Sequence, residues 1–178
     1  KQHLEIARDI AIRFNHTYGE TFVIPEADIE EESAVVPGID GQKMSKSYGN
    51  AIEIFADEKT LREKVMRIVT DSTPVNEPKP IEGNVLFKLY SLFLDPEEKK
   101  YLKERFLTPG LKYGDIKKEL FSLIWEYFEP YRKERQRLAQ DKQFVLETMR
   151  KGARKAREVA TVYLERARHN VGLDYWNF

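Results

Sequence analysis

Apolar residues recur at three- and four-residue spacings through most of the chain beyond residue 56, and this periodicity constrains the fold more than any other feature. The longest periodic segment runs from Asp115 to about Leu138 and carries one continuous apolar stripe. Pro130 is expected to kink it, because proline lacks the amide hydrogen that a helix interior needs. This part of the chain is therefore expected to be helical.

Capping residues mark where the other helices begin. Asp57 precedes one apolar run, and the segment Asp95–Glu98 combines a cap residue, a first-turn proline and a glutamate at the third helical position. A last helix is expected from near Asp141 to Gly172. A helical pattern is already running at Lys1, so we interpret the sequence as part of a longer chain.

Residues 16–56 have a different sequence pattern. The apolar run 22–24 stands before a proline, which predicts an edge strand or an extended connection. Three glycines bracket Lys43-Met44-Ser45-Lys46-Ser47, the lysine-serine loop, and favour a mobile segment. The predicted fold is mainly α, with a short α/β portion over 1–56 and a helical bundle over 57–178.

The residue types of the lysine-serine loop suit a triphosphate. Lys43 and Lys46 can place positive charge where negative charge builds on a leaving pyrophosphate. Ser45, Ser47 and backbone amides can donate hydrogen bonds to the same oxygens. The alternative is a solvated basic loop of no special function.

Composition excludes several classes of protein. The chain of 178 residues has no cysteine and three histidines, so disulfides and thiolate metal sites are absent and a zinc site held by protein alone is not expected. No run of eighteen apolar residues and no secretory signal occurs. We expect a soluble, cytoplasmic protein without a membrane partner.

Charge is balanced overall but not along the chain. Residues 130–178 carry 12 Lys and Arg against 6 Asp and Glu, whereas residues 1–129 carry 18 against 24. The basic excess predicts an anionic partner for the last helices, unless the charges only solvate them.

The lysine-serine loop is the signature pentapeptide of class I aminoacyl-tRNA synthetases, and the chain resembles the tryptophanyl branch of that family most closely. The matches occur in the family's order and spacing over almost the whole chain. They are Gln2-His3-Leu4-Glu5, Arg8-Asp9, Phe14-Asn15, Ile24-Pro25-Glu26-Ala27, Thr70-Asp71-Ser72, Tyr90-Ser91, Gly152-Ala153, Lys155-Ala156 and Val159-Ala160.

The resemblance implies activation of L-tryptophan by ATP and transfer to tRNA(Trp). Lys43 and Lys46 would be catalytic. The whole loop, Met44, Ser45 and Ser47 included, would bind the nucleotide, with Met44 near the adenine. Mg²⁺ would accompany ATP rather than sit in a protein cage. Residues 1–56 would be the end of a Rossmann-type catalytic domain and 57–178 the anticodon-binding domain of a homodimeric parent.

The resemblance also implies what this chain lacks. The family's His-Ile-Gly-His-type signature and amino-acid pocket would lie upstream of Lys1, so the 178 residues alone are expected to be inactive. Tyr48-Gly49 stands where many tryptophanyl enzymes have Asp-Pro, which is a local departure. A tyrosyl-tRNA synthetase and a non-catalytic tRNA-binding module are the alternatives.

Basic residues of the last helices are the expected tRNA contacts, because lysine and arginine neutralise phosphates. They are Arg132, Lys133, Arg135, Arg137, Arg150, Lys151, Arg154, Lys155 and Arg157. Tyr127, Phe128 and Tyr131 could stack on bases, but their helical spacing favours packing in the core.

Overall fold

The computed structural model describes residues 1–29 and 35–173, and within these ranges the regular secondary structure is helical. An isolated antiparallel bridge joins Pro37 and Lys43, and the run 22–24 is an extended connection rather than a strand. The prediction of a mainly α fold is confirmed. The helices are α1 (Gln2–Tyr18), α2 (Glu58–Met66), α3 (Val85–Ser91), α4 (Pro96–Leu107), α5 (Tyr113–Tyr127), α6 (Glu129–Gln140) and α7 (Lys142–Asn170).

The chain divides into two compact units. The described residues from Val35 to Gln136 form the first, which we call the loop-bearing unit because it contains the lysine-serine loop. Residues 1–29 and the described residues from Arg137 onward form the second, the terminal unit.

Side-chain caps begin the helices where the sequence predicts them. The Asp57 carboxylate accepts a hydrogen bond from the Thr60 amide at 2.9 Å, and the Thr60 hydroxyl bond holds the pKa of that carboxyl below its usual value. Asp95 and Glu98 form a reciprocal capping box at the start of α4. Both starts are therefore local properties of the sequence.

The long segment after residue 112 forms two helices instead of one kinked helix. α5 and α6 are separated by a single residue, Phe128. Pro130 has no amide hydrogen to donate to the carbonyl four residues earlier, so one bond of the helical hydrogen-bond ladder is missing here. The predicted kink is thus a boundary between two helices, which backbone hydrogen bonds still bridge from the Phe128 amide to the Ile124 carbonyl and from the Arg132 amide to the Phe128 carbonyl.

The core of the loop-bearing unit draws on four helices and on the approach to the loop. Ile39 lies just before the lysine-serine loop and joins the cluster, so the base of the loop is packed on the helices. The buried apolar residues are Ile39, Leu61, Val65, Ile68, Leu86, Leu89, Leu102, Phe106, Ile116, Leu120, Phe121 and Ile124.

The terminal unit has fewer buried contacts. Phe14 packs its ring against Tyr18 and Phe22, and the Asn15 carboxamide accepts hydrogen bonds from the amides of Thr21 and Phe22. Asn170, at the end of α7, donates to the Thr21 hydroxyl at 2.6 Å. These bonds tie the end of α7 to the turn after α1.

The predicted core position of two aromatic residues is wrong. Tyr127 is 53% exposed and Tyr131 is 56% exposed, and their rings stack on each other at 6.5 Å between centroids. Phe128 is partly buried against the core, as predicted. Tyr127 ends α5 and Tyr131 lies on α6, so the two tyrosines stand on opposite sides of the helix boundary and do not share one buried stripe.

Candidate active-site loop

The base of the lysine-serine loop is a tight hairpin. The Met44 amide donates to the Val36 carbonyl at 2.9 Å, and the Gly38 amide donates to the Gln42 carbonyl at 2.6 Å. Gly41 has φ of +85°, a left-handed conformation that favours glycine, and it allows the chain to reverse here. Ile39 then anchors the hairpin, because its carbonyl accepts from the Val69 amide at 2.8 Å.

The tip of the loop is a single 3₁₀ turn, Lys46–Tyr48, that ends at Gly49 with φ of +66°. The hydroxyls of Ser45 and Ser47 are 2.7 Å apart and share a hydrogen bond. The tip is exposed, and the Lys64 ammonium on α2 donates to the Gly49 carbonyl at 2.8 Å.

The two predicted catalytic residues lie on the same short stretch and face solvent. Lys43 and Lys46 are both exposed, and within the described part of the chain neither ammonium group forms an ion pair. Their charge is therefore available to an incoming anion. Met44 between them is half-buried and packs against the core cluster.

Sequence reasoning missed the residue on which the loop is built. Asn50 follows the loop and is 2% exposed. Its side chain accepts from the Ser45 amide at 2.7 Å and donates to the Lys43 carbonyl at 3.2 Å and to Asp40 Oδ1 at 2.9 Å. A polar residue directly after a glycine that closes a loop is a signal that could have found it.

The arrangement suits binding of a polyphosphate. Two exposed ammonium groups, which form no ion pair with any described residue, and two hydroxyls lie within five residues of one another, and the base of the loop is hydrogen-bonded to a packed core. Donors held in place before the ligand arrives stabilise developing negative charge without reorganising. No group of three His, Asp or Glu side chains in the described ranges could hold a metal ion.

The predicted tRNA contacts fall into two groups. Four of them contact other side chains of the protein: Arg132 stacks on Trp125 at 3.6 Å, Lys133 pairs with Glu129 at 2.7 Å, Arg135 lies over Phe55 at 4.7 Å, and Arg137 lies over Phe144 at 5.5 Å. Of these four, Arg132 is partly buried and the other three are exposed. The five on α7 are exposed: Arg150, Lys151, Arg154, Lys155 and Arg157.

A second basic surface was not predicted. A cleft of about 790 Å³ lies beside α3 and α4, with an apolar wall that includes Ile81, Val85 and Leu92. Four lysines line it: Lys88, Lys99, Lys100 and Lys103. These lysines stand in the acidic part of the sequence, so the charge distribution along the chain did not indicate them.

In the ranges that the structure describes, no helix combines the length and the apolar character required to cross a membrane.

A family model for class I tRNA synthetases of the tryptophan and tyrosine type matches residues 1–129, which include the lysine-serine loop and helices α1 to α5. The match covers well over half of the chain. The protein therefore belongs to the class I tRNA synthetases (W and Y).

Within that class the relatives point to tryptophan. The chain is 45% identical over 97% of its length to a tryptophan–tRNA ligase of Rhodopirellula baltica, and 47% identical over 97% to one of Fusobacterium nucleatum. It covers 54% and 53% of those proteins, about half their length. The resemblance to tryptophanyl-tRNA synthetases is confirmed.

A solved structure has the same fold. The tryptophanyl-tRNA synthetase of Campylobacter jejuni complexed with ADP and tryptophan superposes with a TM-score of 0.76 at 44% identity. The match covers 97% of this chain and 54% of that one. The structural match and the family model thus indicate the same family.

Proposed function

We propose that this chain supplies the lysine-serine loop and the helical portion of a tryptophan–tRNA ligase. In the parent protein, L-tryptophan and ATP form tryptophanyl-adenylate and pyrophosphate, and the tryptophanyl group then passes to tRNA(Trp). The observation that carries this proposal is the pair of exposed ammonium groups, Lys43 and Lys46, on a loop whose base is fixed to a packed core.

The chemistry at the loop is charge stabilisation. The carboxylate of tryptophan attacks the α-phosphorus of ATP, and the bond from that phosphorus to the bridging oxygen breaks. Negative charge then accumulates on the departing pyrophosphate, where Lys43 and Lys46 provide positive charge and Ser45 and Ser47 provide hydrogen bonds. Mg²⁺ enters bound to ATP as part of the substrate. Met44, which packs against the core cluster here, would contact the adenine when the loop closes.

The rest of the parent follows from the same assignment. We place the amino-acid pocket and most of the nucleotide-binding fold in the half of the relatives that this chain does not match. Residues 1–56 are then the end of a Rossmann-type catalytic domain, and 57–178 an anticodon-binding bundle. We propose a cytoplasmic homodimer as the parent. The exposed basic residues of α7 are the preferred contacts for tRNA phosphates.

The test is tryptophan-dependent exchange of pyrophosphate into ATP by the parent protein. Lys46→Ala is expected to lower the exchange rate by about 100-fold or more while tryptophan affinity changes little, because the lost charge acts on the transition state. Lys59→Ala, an exposed lysine on α2 that faces no partner in the described structure, is the matched control. Undiminished exchange in Lys46→Ala would remove the assignment of the loop.

The same assay separates the alternatives. Exchange with tyrosine and not with tryptophan would identify a tyrosyl enzyme. Binding of tRNA without exchange by either amino acid would identify a non-catalytic module. The isolated 178 residues are expected to form no adenylate, and adenylate formation by them would contradict the division of the active site proposed here.

A further inference from the structure

Asn50 joins the two ends of the lysine-serine loop. Its carboxamide forms hydrogen bonds with the Ser45 amide and the Lys43 carbonyl in the first half of the loop, whereas Asn50 itself follows the end of the loop. Its backbone carbonyl accepts from the Ile39 amide at 2.9 Å. Together with the backbone bonds of the hairpin, this one side chain thus closes the base of the loop, and it uses both its oxygen and its nitrogen.

Gly38 provides the space for this side chain. A Cβ atom added at position 38 would lie 2.4 Å from Cγ and from Nδ2 of Asn50, far inside van der Waals contact. The requirement for glycine here is therefore one of volume. Gly38 and Asn50 are twelve residues apart in sequence but occupy one site.

Asn50 is buried at the base of the loop, whereas the tip of the loop is exposed. Ile39 is buried in the core, and its carbonyl bonds to Val69 just beyond α2. Residues Lys46, Ser47 and Tyr48 are all exposed. The bonds that Asn50 makes therefore join the buried base of the loop to its exposed tip.

We propose that Asn50 is a positioning residue for catalysis: its carboxamide fixes the backbone at Lys43 and Ser45, and through it the direction from which both lysine charges meet the triphosphate. This rests on the proposed function. The role requires an amide, because the site presents one donor, the Ser45 N–H, and two acceptors, the Lys43 carbonyl and the Asp40 carboxylate. Aspartate has the same shape, but its carboxylate has no hydrogen to donate to the Lys43 carbonyl or to the Asp40 carboxylate.

Asn50→Asp is the decisive variant. In the parent protein we expect the kcat for exchange to fall by about 10- to 100-fold with little change in KM for tryptophan, because small misplacements of a catalytic group cost rate. In the 178-residue chain we expect hydrogen exchange of the Ser45 amide to accelerate at least tenfold, together with faster tryptic cleavage after Lys43 and Lys46. Asn76→Asp, at an exposed turn residue, is the matched control and should change neither readout.

Two further variants test the same site by changing the residues around Asn50. Asp40→Ala removes one exposed partner of the carboxamide and is expected to give the same two changes in weaker form. Gly38→Ala should displace Asn50, and its effect combined with Asn50→Asp should be smaller than the sum of the two because both act at one site. Unchanged helical circular dichroism would show that each variant is folded.

The outcomes separate this proposal from the proposed function. If folded Asn50→Asp kept the wild-type rate of pyrophosphate–ATP exchange, or the wild-type rate of hydrogen exchange at the Ser45 amide, the positioning role would be overturned. The Lys46→Ala variant would still test the proposed function separately. A wild-type parent without exchange would refute the proposed function, and the hydrogen-exchange experiment would then decide by itself whether Asn50 holds the loop.

Discussion

The two units of this protein both contain a long amphipathic helix, but they differ in how much of its apolar face is buried. α5 of the loop-bearing unit has 15 residues and buries four of them: Ile116, Leu120, Phe121 and Ile124. α7 of the terminal unit has 29 residues and buries none. Its apolar side chains Leu146, Met149, Val159, Val162 and Leu164 are all exposed.

The difference teaches that an apolar stripe predicts a helix but not its burial. Both helices have a strongly one-sided distribution of apolar residues, yet only in the loop-bearing unit do other helices cover it. Stability should therefore be concentrated in that unit, since local stability follows the density of buried contacts. The lysine-serine loop is anchored to the better-packed unit through Ile39, which suits its proposed role of presenting two positive charges to a phosphate.

The largest expected effect comes from truncating matched aromatic residues in the two units. Phe106→Ala removes a ring that is fully buried against Phe87 and should lower the free energy of unfolding by about 3–5 kcal/mol. Phe144→Ala, at a residue 48% exposed on α7, should cost less than about 1 kcal/mol. Urea unfolding followed by circular dichroism measures both, and equal losses would contradict the contrast between the units.

A smaller effect is expected at a buried lysine. Lys79 is 1% exposed, its ammonium donates to the carbonyls of Thr73 and Pro74, and it lies 5.4 Å from the centre of the Tyr113 ring. Lys79→Met keeps the volume but leaves both carbonyls without this donor, so a loss of about 2–4 kcal/mol is expected. Lys151→Met, exposed on α7, should change the free energy of unfolding by no more than about 0.5 kcal/mol. Similar values for the two variants would show that the buried bonds contribute little.

The smallest expected effect is the acid dependence of one ion pair in the loop-bearing unit. The hydrogen bonds from Arg105, at 2.7 and 2.8 Å, hold the pKa of the Glu119 carboxyl below its usual value of 4.5. A lowered pKa means that this stabilisation is present above the ordinary carboxyl range and is lost as the pH falls through the folded-state value. Because the pair is partly exposed, its contribution is at most about 1 kcal/mol.

Glu119→Gln removes this titration. Unfolding midpoints measured from neutral pH down to pH 3 should therefore fall less steeply in the variant than in the wild type. Added salt should narrow the gap between them, because screening weakens a partly exposed pair. Identical acid profiles would show that Arg105 does not stabilise the ionised carboxylate.

Local signals in the sequence determined much of this structure. Asp57 and Asp95 begin their helices, Pro130 breaks one, and the pentapeptide with its flanking matches identified the family. The helix starts and the proline depend on residues within a few positions of one another, and the family matches depend only on the order and spacing of residues along the chain, so the sequence is enough to reveal them.

Tertiary structure alone decided which polar residues are buried and which aromatic residues are not. Asn50 occupies space left by Gly38, Lys79 is enclosed beside Tyr113, and Tyr131 remains exposed. Burial is set by which distant segments meet, and no periodicity within a single segment records that. The sequence by itself thus determined the helices and identified the two lysines as candidate site residues. Contacts between residues distant in sequence decided which side chains hydrogen-bond to the loop that carries those lysines.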